Sequence, residues 1–218
     1  MGVRGVAIAL AAVVALAGCG ETTTDAGPIR RPATLADLAG PWQAAPFLLD
    51  PGLRERVVQA CRREIEMRPG GVAAVVDARG GRVATVRMTG ASAGACSALE
   101  ITASGDIVGA GGGWSGGAEV LRAAGDSELV VVETATVEGG NLTGQGWSVT
   151  GRIGRNIVSV VAETADHNIV QATVENGWFS VWWPVRLPVQ DGFAPPPVVP
   201  FTVRAYDASA QVVAEVAR

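Results

Sequence analysis

The clearest helical pattern along the chain begins at Asp50-Pro51. Leu53, Val57, Val58, Cys61 and Ile65 recur at the spacing of one helical face, with Arg54 and Glu64 at its margins. Asp at the N-cap and Pro at the first helical position set the start, and Arg68-Pro69-Gly70-Gly71 sets the stop. After this helix the period shortens. Val72–Asp77 is an apolar run, Gly80-Gly81 a turn, and Arg82–Met88 a strand with Ala84, Val86 and Met88 on one face. Leu99–Ala103 alternates with Leu99 and Ile101 inward. Residues 110–117 (AGGGWSGG) read as an irregular glycine loop, and Leu129–Val137 as a Val/Thr-rich strand. Past Glu138-Gly139-Gly140-Asn141 the pattern is wholly β: Trp147–Ile153, Ile157–Glu163, Ile169–Glu175, Trp178–Trp183, Phe201–Tyr206 and Val212–Val216. The expected fold is α+β, a small helix-plus-strands unit over residues 37–138 followed by an all-β sandwich over residues 139–218.

Within the second part, the V-x-G-x-x-G run, the A-x-V-x-N-G-W-F hairpin and the late VRAYDAS turn resemble a bacterial immunoglobulin-like module. The resemblance covers about residues 142–218, with Ala210 where such turns more often have Gly. It implies an adhesion or spacer fold and brings no catalytic residues.

Asn176-Gly177 is a type I′ hairpin pair, and a two-residue loop fixes the register. Glu175 then faces Trp178, Thr173 faces Ser180 and Gln171 faces Trp182. On the other face Val174, Ala172 and Val170 meet Phe179, Val181 and Trp183. Trp178 and Trp182, about 13 Å apart along the strand, thus share a face with Gln171 and Thr173. Two readings stay open. The indoles form a platform for a glycan or an envelope protein, or the first unit or the Pro-rich stretch 185–200 covers them.

The N-terminus adds an address. Arg4 precedes an apolar run, Val6–Ala17, which is as long as a signal-peptide core and too short to span a bilayer. It ends in Leu16-Ala17-Gly18-Cys19, which resembles the bacterial lipobox. The resemblance implies a signal peptide over residues 1–18, diacylglycerol on the Cys19 thiol, and acyl chains as membrane anchor on the extracytoplasmic face. Arg without Lys, with much Ala, Gly and Val, is similar in style to actinobacterial lipoproteins. Residues 19–36 read as a flexible tether. In an extracytoplasmic chain the two remaining cysteines, Cys61 and Cys96, are most simply a disulfide.

Composition narrows the chemistry. The chain has 218 residues, 17 basic side chains that are all Arg, one His and three Cys. Without Lys there is no P-loop lysine or Schiff base, and one His excludes a multi-histidine metal site. A net charge of −4 argues against a nucleic-acid partner. His167 falls in a turn, Asp166-His167-Asn168, and no G-x-S-x-G nucleophile elbow occurs. No metal or cofactor is expected. The reading is a non-enzymatic, lipid-anchored binding or scaffold module of the cell envelope. One alternative is a small-ligand or lipid carrier with a pocket between the units, lined by residues such as Val86, Met88 and Trp114. A second is a hydrolase working with acids alone.

Overall fold

The computed structural model describes residues 31–65, 71–89, 93–102, 104–115, 122–137, 145–186 and 199–218. The expected signal peptide, Cys19 and the expected tether up to Arg30 lie outside the described residues, as do the turn expected at Asn141 and residues 187–198. Residues 31–218 form one compact unit, so Arg31–Ala36, expected in the tether, belong to it.

Two helices come first. α1 (Leu35–Ala39) carries a capping box, in which Thr34 and Asp37 satisfy each other's backbone N–H groups. α2 (Pro51–Glu64) starts as expected, with the Asp50 carboxylate accepting from the Gly52 and Leu53 N–H groups. Leu53, Val57, Val58, Cys61 and Ile65 are all buried.

Three antiparallel four-stranded sheets follow. The first sheet has the order β1 (Val72–Ala78), β2 (Val83–Thr89), β3 (Ala93–Ile101), β4 (Ile107–Ser115). The middle sheet runs β5 (Leu129–Val137), β6 (Gln145–Ile153), β10 (Trp178–Val185), β9 (Thr173–Glu175). The outer sheet runs β12 (Val212–Ala217), β11 (Phe201–Tyr206), β7 (Ser159–Thr164), β8 (Ile169–Gln171). The fold is thus mostly antiparallel β and sandwich-like. One core lies between the helices and the first sheet, with Val57, Val58, Val86, Met88, Cys96, Leu99 and Ile101. A second fills the sandwich of middle and outer sheets, with Trp147, Val149, Phe179, Val181, Trp183, Phe201 and Val203. The Cys61–Cys96 disulfide is formed, joining α2 to β3 inside the first core with both residues fully buried.

Several expectations change. The stretch read as a glycine loop forms most of β4, because β3 supplies the hydrogen-bond ladder and a ladder needs no side chains. β3 begins six residues before Leu99 and takes Cys96 into the sheet. β5, expected in the first unit, pairs with β6, so the 138/139 boundary falls between two strands of one sheet. The expected strand Ile169–Glu175 is divided. Its first half pairs with β7, its second half with β10, and the change of sheet falls at Ala172.

Candidate functional site: the seam between the first and middle sheets

Both faces of β2 are covered. On β2, Ala84, Val86 and Met88 point into the helix-side core, while Val83, Thr85 and Arg87, one step out of phase, meet the middle sheet. Val86 and Met88 therefore do not line a space between the sheets, which removes them from the expected carrier pocket. The Trp114 side chain lies outside the described residues.

The hairpin register is as expected for three pairs: Trp178 with Glu175, Phe179 with Val174 and Ser180 with Thr173. Asn176 and Gly177 both hold positive φ, 49° and 74°, as a type I′ turn requires. The other three expected pairs are not formed: Gln171 pairs with Val161 and Val170 with Ala162 in the outer sheet, and the Ala172 N–H donates to the Val160 carbonyl, so none of them faces Trp182, Trp183 or Val181.

The two indoles do not form an open platform, because the first sheet lies on them. Trp178 is 3% exposed and Trp182 is fully buried. Trp178 packs on Ala74, Val75 and Val132. The guanidinium carbons of Arg152 and Arg87 stand 4.6 and 5.3 Å from its ring centroid, in cation–π range. Trp182 packs on Val83, Val137 and Trp42, with the Trp42 ring edge-on at 6.3 Å. Trp42 is brought there by Pro41, whose carbonyl lies against Gly80. A Cβ at Gly80 would sit 2.3 Å from that oxygen, and φ there is +89°. Between the indoles the Thr85 and Ser180 hydroxyls meet at 3.3 Å.

The rest of the seam is charged. Asp77 and Arg79 are both fully buried and paired at 3.0 Å. Arg79 also donates to the carbonyls of Ala44 (2.7 Å) and Gln171, and Thr173 donates its hydroxyl to Asp77 (2.8 Å). One guanidinium thus fastens the N-terminal segment, the end of β1 and the point where β8 passes into β9. Burial pushes the Asp77 carboxyl above its usual range, against the pull of Arg79 and Thr173. Arg87 pairs with Glu133, and burial lowers its pKa while Glu133 opposes that. At the rim Arg54 pairs with Glu175 at 2.9 Å, and the Asn176 side chain donates to the Ala74 carbonyl.

Chemically this arrangement locks sheets together. Its carboxylates, Asp77, Glu133 and Glu175, are each held by an Arg. Among the described residues no group of three His, Cys, Asp or Glu side chains converges as a metal site would. His167 stands in its turn with φ 59°, its ring exposed and Nδ1 2.9 Å from Glu163. The sequence reading passed over Asp77, Arg79 and Arg87. Their signal was a charge set within or at the end of apolar strand runs (VAAVVDAR, VATVRMT). In a strand covered on both faces, such a charge must be paired.

Comparison of the chain with protein-family models, curated proteins and solved structures finds no match.

Proposed function

We propose that the chain is a lipid-anchored protein of the extracytoplasmic face of the cell membrane, held by acyl chains on Cys19, and that its folded unit serves as a non-enzymatic binding or scaffold module. The observation that carries this reading is the Cys61–Cys96 disulfide, buried within the core. Such bonds form and persist outside the reducing cytoplasm, which agrees with the address read from Leu16-Ala17-Gly18-Cys19. The matched carboxylates of the seam support a structural role for these acids over an acid–base one. The middle and outer sheets, two antiparallel sheets facing across one core, support an immunoglobulin-like type for the sandwich. The partner class is an envelope protein or glycan. With Trp178 and Trp182 covered, contact falls to the outward surfaces of the unit.

Metabolic labelling with an alkyne fatty acid tests the anchor. The full chain should take up label and sediment with membranes, and the Cys19→Ala variant should do neither. Label that persists in the variant overturns the anchor. Cross-linking in intact cells tests the module: a reproducible adduct with an envelope component is expected, and a chain that stays free under all conditions counts against a binding role.

A further inference from the structure

The tip of the β9–β10 hairpin carries a reactive pair. In Asn176-Gly177 an amide side chain precedes a residue with no side chain, so the next backbone nitrogen can approach the Asn176 Cγ unhindered. The other asparagines, Asn141, Asn156 and Asn168, are followed by Leu or Ile, whose bulk obstructs that approach. The fold leaves the tip open. Both residues are exposed, and the Gly177 N–H donates no hydrogen bond among the described residues. A Cβ placed on Gly177 would meet nothing beyond its chain neighbours closer than 3.7 Å. One contact restrains the amide: Asn176 Nδ2 donates to the Ala74 carbonyl at 3.1 Å. Ala74 is buried at a bulge in β1, where the register with β2 shifts and passes it over. The amide thus ties the middle sheet to a part of β1 that the ladder skips.

We propose that Asn176 is a self-modification site, and that its conversion to a carboxylate unfastens the hairpin tip from β1. The Gly177 nitrogen attacks the Asn176 Cγ and gives up its proton. A C–N bond closes a five-membered imide, the Cγ–Nδ2 bond breaks, and Nδ2 leaves as ammonia. Water then opens the imide at either carbonyl. Opening at the side-chain carbonyl gives Asp, and opening at the main-chain carbonyl gives isoaspartate, whose chain path is one carbon longer. The net change is amide plus water to acid plus ammonia, with no other reactant. The Ala74 contact holds the amide back, so the reaction draws on the fraction of chains whose tip is released. Two consequences reach the seam. A carboxylate, which only accepts, replaces the donor facing the Ala74 carbonyl and adds a charge beside Glu175. The longer isoaspartate path no longer fits the two-residue loop that sets Trp178 against Glu175.

The test incubates the full chain, disulfide intact, at neutral to mildly alkaline pH and follows each asparagine by peptide mass mapping. The mass gain of an amide-to-acid conversion should accumulate at residue 176 and leave Asn141, Asn156 and Asn168 intact. Its rate should rise with pH, because the attacking nitrogen must lose a proton. The product should be a mixture of Asp and isoaspartate. The folded chain should convert about tenfold more slowly than the chain unfolded in urea, the worth of one hydrogen bond. Asn176→Asp reproduces the shorter product. It should lower the folding equilibrium constant about tenfold, again one hydrogen bond, and the purified isoaspartate form should lose more. Three results overturn the proposal. One is an Asn176 that stays intact in the folded chain while the unfolded chain converts fully. Another is Asp as sole product, which marks direct hydrolysis. The third is a denaturation midpoint of either modified form that matches wild type.

Discussion

Replacing Arg79 by Met tests the seam most directly. The side chain is fully buried and makes three kinds of contact: the Asp77 carboxylate, the Ala44 carbonyl and the Gln171 carbonyl. Breaking a buried ion pair from one side costs about 3–5 kcal/mol, because the other charge stays behind without compensation. The Ala44 carbonyl keeps the Gln171 N–H as a donor, and only the Gln171 carbonyl loses its side-chain partner. We expect a loss of about 3–5 kcal/mol, a large share of the roughly 5–15 kcal/mol that holds a domain together. Urea unfolding followed by tryptophan fluorescence, with the disulfide intact, measures it. The variant also carries a pH signature. Without Arg79, burial is opposed only by the Thr173 hydroxyl, and the folded pKa of Asp77 rises further. The folded state then holds a proton that the unfolded state releases, so stability falls as pH rises from the unfolded carboxylate value through the raised one. The variant should therefore be closest to wild type near pH 4 and furthest from it near pH 7. Adding Asp77→Asn removes the stranded charge, should recover about 1–3 kcal/mol at pH 7, and should abolish the extra pH dependence. A loss below about 1 kcal/mol for Arg79→Met, or no recovery in the double variant, would refute the account of this node.

Four other outcomes follow from the same geometry. Trp182→Ala should cost about 3–5 kcal/mol in equilibrium unfolding, as for a large buried aromatic; a change near zero would mean that the indole is accessible. Opening the Cys61–Cys96 bond, which closes a loop of sequence separation 35, should cost about 4 kcal/mol on the chain-entropy account, read from the denaturation midpoints of wild type and a Cys61→Ala/Cys96→Ala variant. Ala210 holds φ 59° in the turn that Asp207 caps, so Ala210→Gly should stabilise by about 0.5–1 kcal/mol and raise Tm by a few degrees. Hydrogen bonds from His167 and Arg204 hold the Glu163 carboxyl below its ordinary value. Its contribution to stability is thus present above the unfolded carboxylate range and drains away as pH falls through the lowered pKa; a carboxyl NMR titration should show that lowered midpoint, and Arg204→Gln should raise it.

How legible all this was in the sequence depended on where the ordering force lies. α2 was readable because its cap and its apolar stripe are both local, and the Asn176-Gly177 hairpin because its turn chemistry is local too. β4 was not, since glycine carries no strand signal and the ordering comes from β3. α1 was hidden by its length, although Thr34 and Asp37 stood at capping-box spacing. The seam was half visible. The pairing of Trp178 with Glu175 followed from the turn, but what lies on top of a face is a tertiary fact. Once the first sheet closes over the indoles, a face that alternation reads as outward becomes interior. The charges needed for that closure were in view at Asp77, Arg79 and Arg87, and were passed over as turn and strand residues.

The strand that leaves the outer sheet and enters the middle one at Ala172 also sets a rule of parity. Val170, Ala172 and Val174 all turn toward the sandwich core. Gln171 offers its carbonyl to Arg79, and Thr173 offers its hydroxyl to Asp77. The alternation runs unbroken through the change of partners, so each half of the segment holds the other in phase. Removing or adding a single residue there would send Thr173 into the sandwich core and Val174 into the charged seam, and both interfaces would fail together. Surface turns of this chain can vary in length at little cost, whereas the seven residues from Ile169 to Glu175 form a segment whose length is as constrained as its composition.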